Sequence, residues 1–254
     1  MIDLSTFISQ LKTIATQLSN SIPFMVQHKI WEGFFKQKAV LSISIIAAII
    51  IPYNVYNHFS TFTSNILSQK QGIVGVEMVQ NSFLDHINGS NKYLVLILLH
   101  MLNVYFSNKT IEKLSGTFVN ISFKELIHSQ FRNLIVIIRN WIYELIIGVG
   151  ISIVLGVFGP EWLEDILKFL IGSYFIGFIY LDNYNAAFKI PIKTSSEIVY
   201  NHIGAAFGLG IVAKILFFLP FVGPILASFV CGVAGTWYMH TSINQHLASE
   251  AYSD

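Results

Sequence analysis

Four charged side chains stand inside long apolar stretches of the sequence: Arg139, Glu144, Lys168 and Lys214. A charge placed in hydrocarbon costs about 3 kcal/mol or more unless it is paired or hydrated, so these residues are the first candidates for chemistry. A lysine or an arginine in such a place can attract an anion. We therefore take Lys214, Arg139 and Glu144 as candidates for the lining of an anion path.

Each of these charges also has an ordinary explanation. Lys168 follows Glu164 by four residues, which favours a local ion pair. Arg139 lies five residues after its apolar core begins, and Lys214 lies six residues before a proline, so either side chain can extend to an interface. Glu144 is deeper, and its spacing of five from Arg139 puts the two on different helix faces.

A further candidate for anion binding needs no charged side chain. Gly223 and Pro224 interrupt an apolar run, and a helix that begins there would present free backbone donors and the positive end of its dipole. Broken helices in transporters use such ends to hold ions. The alternative is a tight turn at the outer surface.

The composition predicts an integral membrane protein. Of the 254 residues, 54% are hydrophobic and 11% are charged, against about 25% charged in soluble domains. The chain has fifteen Lys and Arg and fourteen Asp and Glu, so its net charge is close to zero. It therefore lacks the basic surface that nucleic acid requires. Cys231 is the single cysteine, which excludes an intramolecular disulfide or cysteine metal site.

No motif in the sequence indicates an enzyme. The eight histidines include no HExxH and no pair with metal-ligand spacing, so neither a metal nor another cofactor is predicted. The sequence has no GxSxG, P-loop or dinucleotide fingerprint. The carboxylates stand mostly at segment ends, where helix capping explains them.

The first twenty residues predict an amphipathic helix, with Asp3 placed to cap its first turn. Apolar residues recur there at helical spacing: Leu4, Phe7, Ile8, Leu11, Ile14, Ala15 and Leu18. Such a helix lies either on the membrane surface or against the protein's own cytoplasmic part. The pattern leaves both arrangements open.

The chain is expected to form a single all-α membrane domain over residues 1–254. About six membrane-associated segments are predicted, at residues 39–59, 93–106, 134–158, 166–180, 203–219 and 225–240. The third belongs to a longer helix, because Ser122 and Glu125 have capping-box spacing and no break follows before Gly159-Pro160. That helix should project into water at its start.

The last two segments are predicted to form a hairpin. A capping box at Thr194 and Glu197 starts a helix that continues into residues 203–240. As one helix, that run would be about 57 Å long, nearly two bilayer cores, so it must fold back at its Pro/Gly cluster. Each arm is at the lower limit for crossing, so the hairpin crosses fully or only half penetrates.

The distribution of basic residues predicts the orientation. With the amino terminus inside, the inner segments hold ten Lys or Arg, whereas the outer segments hold Lys70 and Lys92. Both termini are therefore expected in the cytoplasm, and the chain crosses the membrane several times.

Several motifs resemble the CysZ and etoposide-induced protein family. The most specific stretch runs from Tyr180-Leu-Asp182 to Thr236 and contains Thr194-Ser-Ser-Glu197, HIGAAFGLG, LPFVGP and CGVAGT. The stretch IPFMVQHKIW before the first segment is also similar in layout. Where relatives are arginine-rich, before the final hairpin, this chain has Lys189 and Lys193. These two form the predicted cytoplasmic basic loop.

The resemblance implies a sulfate permease or channel of the bacterial inner membrane. Such proteins combine long spanning helices with half-penetrating hairpins, and they oligomerise. We therefore expect a membrane channel or transporter for a small inorganic anion such as sulfate, surrounded by lipid and assembled as a homo-oligomer. The alternative is a scaffold or assembly protein on the same fold, because fold alone does not fix function.

Overall fold

The computed structural model describes residues 3–32, 91–116, 123–217, 219 and 222–251. This part of the chain is helical and contains no strand. Its helices are α1 (Leu4–His28), α2 (Asn91–Ser115), α3 (Phe123–Phe158), α4 (Glu161–Ala187), α5 (Ile192–Tyr200), α6 (Ile203–Phe217) and α7 (Gly223–Ala251). The all-α prediction is confirmed for the described residues. The predicted segment 39–59 and the capping residue Ser122 lie outside them.

Helix α3 has the length and hydropathy of a membrane span. Its stretch Phe131–Leu155 is the one single helix in the described residues that passes this test. Only 17% of its apolar 18-residue part is buried, whereas the core helix of a soluble protein would be mostly buried. The helix runs without a break, as predicted, and ends where the Gly159 amide donates to the Leu155 carbonyl at 2.7 Å. Helix α4 follows with Pro160 as its N-cap.

Helix α4 is the centre of the described bundle, in contact with α2, α3, α5, α6 and α7. The predicted segment 166–180 lies within it. Its closest approach is to α6, where glycines let the backbones touch. A Cβ on Gly177 would lie 1.7 Å from the Ala206 carbonyl oxygen, and one on Gly210 would lie 1.6 Å from that of Ser173. Any larger residue would push the two helices apart.

The predicted helix start at Thr194 is wrong. Helix α5 begins two residues earlier, after Pro191, and makes no side-chain cap there. Proline can occupy that place because the first helical amides have no partner within the helix. The helix also fails to continue into the apolar run. It breaks at Asn201 and His202, and α5 and α6 meet at 91°. Counted together, α5 and α6 are a second candidate for a span, in broken form.

The apolar run after Ile203 folds back as predicted. Helices α6 and α7 pack against each other, and the chain turns between Phe217 and Gly223. Gly223 is required by close packing, because a Cβ there would lie 1.8 Å from the Leu216 carbonyl oxygen. The second arm continues beyond the predicted residue 240, to Ala251.

Helix α1 packs against α6 and α7, so it lies on other helices of the same chain. Asp3 caps it as predicted, since its carboxylate accepts from the Thr6 amide at 2.6 Å. The buried face mixes polar and apolar residues: Gln10, Ile14, Gln17, Ser21 and Phe24. Large apolar residues remain exposed on the other side: Leu4, Ile8, Ile22 and Val26.

Candidate functional site

Arg139 occupies the candidate spanning stretch of α3 and reaches α5. Its Nη1 donates to the Ser196 hydroxyl at 2.8 Å, and its guanidinium carbon lies 5.5 Å from the centre of the Phe178 ring. Ser196 in turn donates to the Ile192 carbonyl at 2.6 Å. In the described part of the chain no carboxylate lies within salt-bridge distance of this guanidinium, and its buried Nε has no hydrogen-bond partner.

Polar residues of α4 and α5 lie near the Arg139 contact with Ser196. The Tyr174 hydroxyl lies within electrostatic range of both Arg139 and Tyr200. Lys193, Ser196 and Tyr200 follow one another at spacings of three and four on α5, so they share one helix face. Lys193 is exposed on that face. We call Arg139, Lys193, Ser196 and Tyr200 the arginine corner.

A second arginine forms an ion pair with a buried carboxylate. Arg132 of α3 and Asp182 of α4 form a two-point ion pair, with Nη1 to Oδ2 at 2.8 Å and Nη2 to Oδ1 at 3.1 Å. Arg132 also donates to the Ile190 carbonyl, at 3.1 Å from Nη2, while Ser195 of α5 donates to Asp182. The side chains are 13% and 3% exposed. This network fixes α3, α4 and α5 together.

Sequence reasoning missed this pair. In the sequence, Arg132 is one of the ten inner basic residues, and Asp182 stands within a motif that resembles the family. The signal that could have shown it is the lone aspartate in an apolar stretch, because a buried carboxylate requires a cationic partner.

Lys214 is the most deeply placed of the predicted anion-path residues. It is fully buried between α6 and α4, where its Nζ donates to the Phe169 carbonyl at 2.8 Å. The same Nζ lies 4.4 Å from the centre of the Phe169 ring. These contacts hold the ammonium at a helix contact, and they do not bring it to Arg139.

The remaining predicted residues lie in four other places. Lys168 and Glu164 form the predicted local ion pair at 2.5 Å, and hydrogen bonds from Lys168 and Ser152 lower the pKa of Glu164. Glu144 is half-buried on α3. Gly223 lies at the start of α7. Lys189 is exposed after α4 and has a left-handed φ of 57°.

Buried polar side chains also occur on α2, α4 and α7, three helices that contact one another. On α2 they are His100, Asn103 and Ser107, at spacings of three and four, with Asn183 on α4 and Thr236 on α7; we call these five residues the polar seam. Each is at most 3% exposed. Each has at least one buried side-chain atom without a hydrogen-bond partner among the described residues. The sequence pattern gave no signal for this group.

The described residues contain no group of three or more His, Cys, Asp or Glu that could hold a metal ion. Comparison of the chain with known proteins gives no match to any family model, curated protein or solved structure. The resemblance to the CysZ and etoposide-induced protein family therefore remains a prediction from the sequence.

Proposed function

We propose that this chain is a multi-pass membrane protein that lets a small inorganic anion, such as sulfate, cross the bilayer. The exposed apolar surface of α3 supports the membrane setting. Large side chains on that surface, among them Ile146, Val149 and Ile153, are 52–65% exposed. A surface of this kind is stable against lipid and unfavourable against water. The distribution of basic residues supports an orientation with both termini inside. The bacterial inner membrane is what the resemblance to the CysZ and etoposide-induced protein family implies.

Arg139 is the single observation that carries the anion proposal. An arginine within a spanning stretch is costly unless something compensates its charge. In the described residues its contacts are a neutral hydroxyl and an aromatic ring, which satisfy part of the guanidinium and leave its charge without a counter-ion. An anion that enters the arginine corner would supply the missing charge.

The other two well-placed cations are less suited to this role. Asp182 neutralises Arg132 at two points. Lys214 donates to a backbone carbonyl within a helix contact. Lys193 is exposed on the same face of α5 as Ser196, so it can attract an anion toward Arg139 from the solvent.

The test is anion flux into liposomes that contain the purified full chain, with protein-free liposomes as the baseline. We expect sulfate flux above that baseline and a loss of about tenfold in Arg139→Gln, since one strong interaction with the anion is removed. The loss should be larger for sulfate than for chloride, because Coulomb attraction scales with the product of the charges.

Lys12→Gln is the matched control, because it removes one exposed charge from α1. Flux at the baseline for the wild type would contradict the proposal and favour the scaffold function. Equal losses in Arg139→Gln and Lys12→Gln would show that the effect comes from net charge and not from the arginine corner.

A further inference from the structure

Several buried polar atoms of the polar seam have no hydrogen-bond partner among the described residues. Asn103 is fully buried, and neither its amide nitrogen nor its amide oxygen has a partner among the described residues. The same holds for both side-chain atoms of Asn183 and for the Thr236 hydroxyl. Leaving a buried polar atom unpaired costs about 1–3 kcal/mol. Several such atoms in one place therefore indicate something that binds them.

These side chains belong to one region. A Cβ on Gly232 of α7 would lie 3.4 Å from the Asn103 amide oxygen, and Thr236 is one helical turn after Gly232. Ser107 is one turn after Asn103 on α2. The seam therefore runs along the contact between α2 and α7.

The position of Asn183 brings α4 into the same region. On α4, Asp182 faces α3, and Tyr184 contacts His240 of α7. Asn183 lies between these two directions, and α2 packs on α3, α4 and α7 alike. At the end of the seam nearest the Arg132–Asp182 ion pair, the His100 ring contacts Asn133 of α3.

The chemistry of the seam is neutral and rich in hydrogen-bond donors. Its amides and hydroxyls can replace part of the water shell of an anion, and it contains no carboxylate that would repel one. Neutral donors also bind an anion more weakly than a buried cation does. That balance suits a path, where an ion must enter and then leave.

We propose that the polar seam is the path along which the anion passes between α2, α4 and α7. In this structure its side chains are at most 3% exposed, so the seam must open to admit the ion. This inference rests on the proposed function. It moves the path away from Lys214 and from the turn at Gly223, where the sequence suggested it. Oxyanions and halides share the chemistry that the seam recognises, namely acceptance of hydrogen bonds from neutral donors.

The test uses two variants that remove the polar atoms and keep the size of the side chain, Asn103→Leu and Thr236→Val. In the full chain in liposomes, we expect sulfate and chloride flux to fall by about tenfold in each, as for the loss of one hydrogen bond. The midpoint of thermal unfolding in detergent should stay the same or rise, because an unpaired buried polar group is replaced by an apolar one. A purely structural role predicts the opposite, a lower midpoint.

Asn20→Leu is the matched control, since Asn20 is exposed on α1. It should leave both flux and the unfolding midpoint at the wild-type values. Wild-type flux in both Asn103→Leu and Thr236→Val would overturn the seam as the path and leave the proposed function intact. A fall in flux that only matches a loss of folded protein would overturn it as well.

A second measurement separates the two proposals if the wild type passes no anion. Asn103→Cys in a Cys231→Ser background should react with a small charged methanethiosulfonate, because a path that conducts anions must open to water and small ions. Cys231 of the wild type is the reference for a thiol that the reagent cannot reach, since it is fully buried in the hydrophobic core. Reaction without flux would refute transport and retain a hydrated seam. Protection of the introduced thiol at the level of Cys231 would overturn the seam itself.

Discussion

Arg132 and Asp182 are fifty residues apart in the sequence and form a two-point ion pair at 2.8 and 3.1 Å in the interior of the bundle. Each charge also has a neutral hydrogen-bond partner: Arg132 donates to the Ile190 carbonyl, and Asp182 accepts from the Ser195 hydroxyl. A buried pair contributes little net stability, because desolvation offsets the attraction. Its effect is to fix where α5 lies relative to α3 and α4. It thereby fixes Ser196, the hydroxyl that holds Arg139.

The first prediction concerns this pair. Asp182→Asn leaves the Arg132 charge buried without its counter-ion, so we expect a loss of about 3–5 kcal/mol in the free energy of unfolding. The double variant Arg132→Leu with Asp182→Leu removes both charges and should lose less than Asp182→Asn alone. Denaturation of the purified chain in detergent measures all three proteins. Equal losses in the single and double variants would show that the charge is not what makes the single change costly.

Local patterns in the sequence predicted the features that depend on neighbouring residues. Gly159-Pro160 ended α3, because proline cannot continue the hydrogen-bonding pattern of a helix. Glu164 and Lys168 paired, because a spacing of four places them side by side on one helix. The last apolar run folds back between Phe217 and Gly223, as its Pro/Gly cluster predicts.

Features that depend on distant residues could not be predicted in the same way. The partner of Asp182 is known only once α3 lies against α4. The contact of Lys214 with a backbone carbonyl leaves no trace in the pattern of side chains. Ser195, within the predicted capping box, bonds to Asp182 on another helix, a contact that local spacing could not show either. The polar seam was missed because its members are spread over three helices.

The second prediction concerns the closest helix contact. Gly177→Ala places a methyl group where the Ala206 carbonyl oxygen would be 1.7 Å away, so α4 and α6 must separate. We expect a loss of about 1–3 kcal/mol in the free energy of unfolding, as for other overpacked contacts.

Gly150 offers a matched control for this change. A Cβ there meets nothing within 4 Å, and the residue lies within α3. Gly150→Ala should therefore be neutral or raise stability by up to about 1 kcal/mol, because alanine favours the helix. If both substitutions lowered the unfolding midpoint equally, the close α4–α6 contact would not explain the effect of Gly177→Ala.

The third prediction distinguishes the two cations that the sequence proposed for an anion path. Lys214→Met removes the buried ammonium and keeps an unbranched side chain of similar length. The Phe169 carbonyl keeps a donor, because the Ser173 hydroxyl also bonds to it at 2.7 Å. We therefore expect the unfolding midpoint to stay the same or rise, and anion flux in liposomes to stay at the wild-type level. Arg139→Gln should lose flux in the same assay. If Lys214→Met lost as much flux as Arg139→Gln and more of it for sulfate than for chloride, the anion would pass Lys214, and the path would lie along the α4–α6 contact.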